Sequence, residues 1–231
     1  PPLAQADVLA LPLGDTPALE RAVADHGEEL AAILLDLMPN RAGLAPVDPA
    51  FAARARSLAS AQGALLIFDE VITFRLSTAG LHFLYDLKPD LLTLGKIIGG
   101  GLPCGALGGS PEAMAVLEPH ASAPVHLSGT FVANPLTMRA GLAALRALDA
   151  PAIDRIDALG ERLRAGLIAQ GFTVTGRGSL LKLHHPDLPH LWWRLYREGV
   201  LIAPDGLCCV STPMDDAVVD DALERFARAR P

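Results

Sequence analysis

The chain has 231 residues, of which 51% are hydrophobic and 19% are charged, with a formal net charge of −7 and a pI near 5.4. This composition supplies a large core and excludes a disordered chain, while the acidic balance and the lack of a long Lys/Arg run exclude a nucleic-acid partner. Its three cysteines predict no disulfide framework, no apolar run reaches the ~18 residues of a membrane helix, and no signal peptide is recognised, so we expect a cytoplasmic protein without a membrane partner.

The beginning of the sequence predicts alternating strands and helices. Apolar runs typical of strands lie at 7–13, 30–38 and 64–71. Each segment between them opens with an N-cap residue followed by proline, at Thr16 and Asp48, which predicts helices to about residues 26 and 62. The β-α-β-α-β order with short connections predicts right-handed crossovers and a parallel sheet.

The middle of the sequence predicts shorter elements around an irregular segment at 73–90. The elements that follow are strands at 91–94 and 105–109, a helix at 111–117, a loop at 120–132 and a helix from 134 to about 148. Gly95 and Lys96 directly follow the first of these strands. That strand therefore brings a lysine to the end of the predicted sheet.

The character of the sequence changes near Ala150, where we place a boundary between domains 1–150 and 151–231. The second domain is expected to contain a helix at 153–171, a strand at 172–184, a helix at 190–197, strands at 200–203 and 207–211, and a final helix capped near Asp215. We therefore expect a large α/β domain with a mostly parallel sheet, followed by a small α+β domain.

Asp69 stands where the third predicted strand ends. In open α/β sheets, ligands bind at the carboxyl ends of the strands. An aspartate after a strand is more commonly a turn or N-cap residue, but the apolar run 65–68 before it predicts a dry environment. A carboxylate in such a place needs a cationic or hydrogen-bonding partner.

Lys96 is the lysine that this topology brings closest to Asp69, because Lys88 lies in a polar loop. Most lysines are surface residues, yet apolar residues flank Lys96 on both sides and three glycines follow it at 99–101. The glycines allow a ligand or another backbone to approach closely. A partly desolvated lysine is a nucleophile that can form a Schiff base.

Other catalytic motifs do not fit these residues. A P-loop has its glycines before the lysine and Ser/Thr after it, whereas here the glycines follow Lys96 and the next residue is Ile97. The sequence contains no GxGxxG or GxSxG motif and no HExxH or paired histidine spacing. We therefore predict no metal ligand and no serine-hydrolase site.

An acid together with a Schiff-base lysine suggests pyridoxal phosphate. Its aldehyde would bond to Lys96, and Asp69 would pair with the pyridinium nitrogen, so that the ring accepts electrons. Ser128, Gly129 and Thr130 precede a predicted helix start and are candidate donors to the phosphate. Such a triplet is common in loops and is weak support by itself.

Three separated segments resemble class-III pyridoxal-phosphate aminotransferases, in the branch of glutamate-1-semialdehyde 2,1-aminomutase and β-amino-acid aminotransferases. They are 63–71 (GALLIFDEV), 89–109 (PDLLTLGKIIGGGLPCGALGG) and 128–145 (SGTFVANPLTMRAGLAAL). They occur in family order, and weaker resemblance covers most of the chain. The resemblance implies fold type I and transfer of an amino group between an amino donor and a keto or aldehyde acceptor.

The resemblance also implies roles for individual residues. Lys96 would carry the Schiff base and the shuttled proton, and Asp69 would be the pyridinium partner. Val71 would pack on the cofactor ring. Thr130 would reach the phosphate of the partner subunit's cofactor, which implies a homodimer with a shared active site.

The sequence departs from the family pattern at several points. It has Asp36-Leu37 where the family usually has Glu-Pro, one residue fewer before Arg75, and a short segment after Pro204 where the aminomutase has a longer one. These departures favour an aminotransferase, with an aminomutase as the alternative. Arg75 is a local candidate for binding a substrate carboxylate.

In the family, a long N-terminal part precedes the residue that corresponds to Pro1. It supplies the main phosphate loop, an aromatic residue that stacks on the ring, and strands that cover one edge of the sheet. These parts are expected to lie outside the sequence. A third reading is therefore an inactive fragment or interaction domain that keeps the fold without the cofactor.

Overall fold

Four short strands form one sheet in the computed structural model, which describes residues 7–230. The strands, in spatial order, are β1 (Ala32–Leu35), β2 (Leu65–Asp69), β3 (Leu91–Gly95) and β4 (Gly105–Gly109). β1, β2 and β3 pair in parallel, and β4 pairs antiparallel to β3. The predicted mostly parallel sheet is thereby confirmed, and β2 lies inside it with Asp69 at its carboxyl end.

Among residues 7–147, five α-helices accompany this sheet. They are α1 (Thr16–His26), α2 (Pro49–Gln62), α3 (Leu81–Leu84), α4 (Pro111–Met114) and α5 (Pro135–Ala147). α2 has the predicted bounds, because the Asp48 side chain accepts a hydrogen bond from the Ala50 N–H at 2.8 Å and Gly63 ends the helix in the left-handed conformation. Its buried side chains pack against β1 and β2.

Two predictions near the beginning of the chain are wrong. Residues 7–13 form no strand, and their side chains are exposed, with Val8 67% exposed. An apolar run indicates a preference for burial, but a strand also needs a neighbouring strand to pair with. Thr16 is not the N-cap of α1, since the Asp15 side chain accepts the hydrogen bond from the Ala18 N–H at 2.9 Å.

The second part of the chain forms a separate antiparallel sheet covered by helices. Its elements are α6 (Ala150–Ala169), β5 (Thr173–Arg177), β6 (Leu180–His184), α7 (Leu188–Arg197), β7 (Leu207–Cys209) and α8 (Asp216–Arg228). The sheet order is β5-β6-β7, and its core includes Ile156, Leu181 and Leu195. The three cysteines are free.

Two strand predictions in this part are also corrected. The single strand expected at 172–184 is a hairpin, because the chain turns between β5 and β6 at Gly178, which has a φ of +54°. The strand expected at 200–203 is absent among the described residues. Ile202 is buried there, so its apolar pattern reflects core packing without strand pairing.

The described residues divide into two compact units. The first comprises the chain up to residue 37, 47–74 and 79–144; the second comprises 38–46, 75–78 and the chain from 145 onward. The domain division at Ala150 stays a prediction. Among the described residues, no helix has the length and apolar character needed to cross a membrane.

Candidate functional site

Asp69 is the last residue of β2 and lies beside Thr93 of β3 in the sheet register. Its side chain is half-buried. The Val71 N–H donates a hydrogen bond to Asp69 Oδ1 at 3.0 Å, which fixes one carboxylate oxygen. Oδ2 has no hydrogen-bond partner among residues 7–230. One oxygen of an anchored carboxylate is therefore available to a donor from outside the described chain.

Lys96 follows β3 directly and begins the 3₁₀ turn Lys96–Gly99. Its φ is +48°, in the left-handed region that costs a residue with a Cβ roughly 1–2 kcal/mol. Strained backbone of this kind clusters at functional sites. Within residues 7–230 the side chain forms no hydrogen bond or ion pair, so its ammonium group is uncommitted.

The two strand ends place Lys96 beyond Asp69 along the sheet. Asp69 is level with Thr93, and Lys96 comes three residues later, about 10 Å further on at the rise of an extended strand. The expected dry environment is not found in this chain, because Asp69 is half-buried and Lys96 is exposed. The apolar neighbours Ile97 and Ile98 are themselves only half-buried, and no described segment covers the lysine.

The glycines after Lys96 serve close packing against α5. A Cβ on Gly100 would lie 2.3 Å from the Ala140 carbonyl oxygen, and a Cβ on Gly141 would lie 2.1 Å from the Ile98 carbonyl oxygen. Both distances are far below van der Waals contact, so the turn and the helix approach backbone to backbone. This contact holds the turn that begins with Lys96 against a regular helix.

Val71 lies between the two candidate catalytic residues. Its N–H binds Asp69, and its Cγ1 would lie 3.3 Å from a Cβ built on Gly95, the residue before Lys96. The half-buried Val71 side chain thus packs over the end of β3. The structure therefore joins Asp69, Val71 and Gly95, the residue before Lys96, in one local arrangement.

Glu70 is a residue of this region that the sequence analysis did not single out. Its side chain is fully buried and binds Thr73, Leu81 and His82. Burial acts to raise the pKa of Glu70, but the hydrogen bonds from His82, Thr73 and the backbone hold that pKa below its usual range. The sequence feature that could have identified Glu70 as buried is the alternation of side chains along β2, which puts Glu70 on the same inward face as Leu66 and Phe68.

Thr130 forms no hydrogen bond with these residues in the described chain. It is exposed in a turn before α5, and Ser128 and Gly129, which precede it, are also exposed. Within residues 7–230 no hydrogen bond joins Thr130 to Asp69 or Lys96. The helix start that follows is capped by Asn134, whose Oδ1 accepts from the Leu136 N–H at 3.0 Å.

The Arg75 guanidinium is hydrogen-bonded to other residues of its own compact unit. Its Nε donates to Ser179 Oγ at 3.2 Å, and its guanidinium also donates to the Val210 carbonyl oxygen. Ser179 in turn donates its N–H to Asp157 Oδ1 at 2.8 Å, and burial raises the pKa of that half-buried aspartate. These contacts favour a structural role for Arg75 over the expected binding of a substrate carboxylate.

The opposite end of the sheet holds another carboxylate, Asp90, directly before β3. Its Oδ2 accepts from the Leu66 N–H at 2.7 Å and from Arg56 at 2.6 Å. Partial burial acts to raise the pKa of Asp90, but the Leu66 and Arg56 contacts hold that pKa below its usual range. At this end the charge is paired within the chain.

Comparison with known proteins places these features in a family. The family model for class-III aminotransferases matches residues 13–229. The β-phenylalanine transaminase of Variovorax paradoxus is 37% identical over 93% of this chain and 54% of its own length. The glutamate-1-semialdehyde 2,1-aminomutase of Thermomicrobium roseum is 44% identical over 70% of this chain and 37% of its own length.

Solved structures show the same relation. An omega-transaminase from Sphaerobacter thermophilus superposes with a TM-score of 0.94 and 39% identity, over 99% of this chain and 58% of that one. A transaminase with pyridoxal phosphate bound superposes with a TM-score of 0.93 and 32% identity, over 99% and 58%. The fold is that of the fold type I transaminases, and the chain spans about half the length of the relatives it matches.

Proposed function

The chain belongs to the class-III aminotransferases, and we propose that it supplies the lysine and the carboxylate of a pyridoxal-phosphate-dependent transferase. That enzyme would move an amino group from an amino donor to a keto or aldehyde acceptor. The observation that carries the proposal is the pair of uncommitted groups, Asp69 Oδ2 and the Lys96 ammonium, at the carboxyl ends of adjacent parallel strands.

The residues present fit this cofactor. When bound, pyridoxal phosphate supplies an aldehyde for the amino group and a protonated ring that accepts electrons. Asp69 presents one anchored oxygen and one oxygen without a partner among residues 7–230, which suits the N–H of a cationic ring nitrogen. Lys96 has no ion pair in the described chain that would hold its ammonium group away from an aldehyde.

Each site residue then has a distinct task. Asp69 would hold a proton on the ring nitrogen through Oδ2. Val71 would give the ring an apolar face, in keeping with its packing at the end of β3. Lys96 would bind the aldehyde carbon through Nζ and would carry a proton at Nζ to and from the substrate carbon.

We propose that the protein acts as a homodimer in which Thr130 binds the phosphate in the partner's site. Thr130 is exposed, and close to it in the sequence are the exposed apolar side chains Leu127 (72%), Phe131 (81%) and Leu136 (70%). Exposed apolar surface of this kind is typical of a protein interface. An interface here would bury these side chains and bring Thr130 to a neighbouring subunit.

Mixing two inactive variants tests the shared site. Lys96→Ala protomers keep Thr130, and Thr130→Val protomers keep Lys96. If Thr130 acts in the partner's site, the mixed dimer contains one intact site and activity returns to about a quarter of wild type after random pairing of equal amounts. If mixtures that sedimentation shows to contain mixed dimers have no more activity than the variants alone, a shared site is contradicted.

An aminomutase is the second candidate function, favoured by the 44% identity to the Thermomicrobium roseum aminomutase. A transferase releases a keto or aldehyde co-product for each amino group it delivers, whereas a mutase returns the amino group to the same molecule. Incubating the whole protein with pyridoxal phosphate, a β-amino acid and a keto acid distinguishes the two. A co-product formed only with the acceptor supports the transferase; isomerisation of an amino aldehyde without an acceptor supports the mutase.

Two further assignments belong to the proposal. The domain division at Ala150 is supported by the second sheet, whose elements all follow that residue. A cytoplasmic location is supported by the three free cysteines, which fit a reducing compartment. Limited proteolysis near residue 150 and cell fractionation test them, and cleavage elsewhere or a secreted product would contradict them.

A further inference from the structure

Glu70 is a buried carboxylate beside the site that the proposed chemistry does not use. Its Oε2 accepts from the Thr73 hydroxyl and from the Leu81 N–H at 3.0 Å. Its Oε1 accepts from the His82 N–H at 2.7 Å and faces His82 Nδ1 at 3.0 Å. The side chain is 0% exposed, so these four contacts replace water around it.

These contacts close the segment that follows β2 into a fixed loop. Thr73 belongs to the first turn after the strand, while Leu81 and His82 begin α3, so one side chain ties both ends of the loop 71–82. The Glu70 carbonyl oxygen also accepts from the Phe74 N–H at 3.0 Å. Because the pKa of Glu70 is held below its usual range, the carboxylate is charged near neutral pH and His82 Nδ1 is the donor.

The loop matters to the site because it begins with Val71. The Val71 N–H orients Asp69 Oδ1, and the Val71 side chain packs at Gly95, directly before Lys96. A shift of the loop would therefore move the hydrogen bond that anchors Asp69 and the apolar contact at the end of β3 together.

We propose that Glu70 is a positioning residue, which fixes the loop 71–82 so that Asp69 and Val71 keep the geometry that holds the cofactor ring. The inference rests on the proposed function, since it assigns Glu70 a role toward that cofactor. Glu70 acts through Asp69 and Val71 and touches no reacting atom.

Glu70→Gln is the direct test, made in the whole protein. Glutamine keeps one oxygen but presents an amide group to two of the donors, so the ends of the loop are no longer both satisfied. Without cofactor, amide hydrogen exchange of Leu81 and His82 should become faster by about tenfold. The dissociation constant of pyridoxal phosphate should rise by about tenfold, because the residues that contact the cofactor, Asp69 and Val71, depend on the loop that Glu70 holds in place.

Asp90→Asn is the matched control. Asp90 also binds a backbone N–H and a side chain, but at the amino end of the same sheet. If both variants unfold at lower temperature and only Glu70→Gln weakens cofactor binding, Glu70 positions the site. If the two variants lose stability equally and both bind the cofactor as wild type does, Glu70 is only a structural residue and the proposal is overturned.

Thr73→Val and Thr73→Ser keep the test decisive if Glu70→Gln does not fold. Thr73 is buried and gives Glu70 one hydroxyl contact, which valine removes and serine retains. Valine should weaken cofactor binding, and serine should restore it; equal binding by both variants would contradict the proposal. The wild-type protein separates the two claims: failure of wild type to bind the cofactor would overturn the proposed function itself.

Discussion

The charged groups at the two ends of the first sheet differ in whether they are paired within the described chain. At the amino end, Asp90 binds the Leu66 N–H and forms an ion pair with Arg56, so its charge is used within the fold. At the carboxyl end, Asp69 keeps one oxygen without a partner in residues 7–230, and Lys96 forms no ion pair there. The same sheet therefore carries one carboxylate whose charge is paired and one with an oxygen that has no partner among residues 7–230, which we propose binds the cofactor.

The difference is reinforced by backbone and burial. Lys96 adopts a left-handed backbone conformation, which is strained for a residue with a Cβ. Gly100 and Gly141 allow the turn that begins with Lys96 to pack directly against α5. Glu70, between Asp69 and Val71, is fully buried and fully bonded. Anchored residues thus adjoin two charged groups that have no ion pair among residues 7–230, which is the organisation expected of a preorganised site.

Replacing Lys96 should have the largest effect on function. Under the proposed function, Lys96→Ala would remove both the attachment point and the proton carrier, so amino transfer by the whole protein should fall by about 10⁴-fold or more. The unfolding temperature should stay equal or rise, because alanine replaces an exposed lysine that forms no hydrogen bond or ion pair with residues 7–230. Steady-state assays with excess pyridoxal phosphate measure this. Turnover within tenfold of wild type would show that another residue carries the proton.

Replacing Asp69 should have the next largest effect. Asp69→Asn keeps the Val71 contact through its oxygen but would remove the charge that, under the proposed function, holds the proton on the ring nitrogen. Amino transfer should fall by about 100-fold, as when one preorganised electrostatic contact is lost, while cofactor remains attached at Lys96. Single-turnover kinetics at saturating cofactor give the rate. An unchanged rate would refute the role of Asp69.

Disturbing the close contact between Gly100 and α5 should mainly lower the free energy of unfolding. A Cβ on Gly100 would lie 2.3 Å from the Ala140 oxygen, so Gly100→Ala should cost about 2–4 kcal/mol through overpacking and strain. Gly101→Ala is the control, since Gly101 also has a positive φ of +90° but nothing within 4 Å of a Cβ. Urea unfolding compares the two. Equal losses would mean that backbone strain alone accounts for both glycines.

The smallest effect is expected at the amino end of the sheet. Asp90→Asn loses the ion pair with Arg56 and should cost about 1 kcal/mol at pH 7, with amino transfer unchanged. Since the folded pKa of Asp90 is lowered, its contribution is present above the unfolded pKa and is lost as pH falls through the folded pKa. Wild type and variant should therefore converge in unfolding free energy in acid. A constant difference from pH 7 to acid would contradict this account.

Sequence reasoning located α2 and placed the inner strands to within two residues, because local signals largely determine them. The Asp48 cap and Gly63 define α2, and the strands predicted at 64–71 and 91–94 are observed at Leu65–Asp69 and Leu91–Gly95, so that Lys96 directly follows β3. The role of Glu70 was missed because its partners Leu81 and His82 lie eleven and twelve residues away, in a segment without a periodic pattern. Burial of that carboxylate depends on tertiary contacts that composition does not reveal.

The solvent exposure of side chains was the property that the sequence predicted least well. The apolar neighbours of Lys96 indicated a dry site, but a neighbour in sequence does not cover a side chain, and Lys96 is exposed in this chain. Residues 7–13 are likewise apolar and exposed, because the described chain offers them no strand to pair with. In the second unit, the turn at Gly178 divided one continuous apolar pattern into two strands.

The central claim is that the carboxyl end of the sheet holds pyridoxal phosphate through Lys96. Reduction of the whole protein with borohydride after addition of the cofactor, followed by peptide mass mapping, tests it most directly. The account predicts one pyridoxyl adduct, on Lys96, which is absent from the Lys96→Ala variant. An adduct on another lysine such as Lys88, or no adduct in the wild-type protein, would contradict the claim.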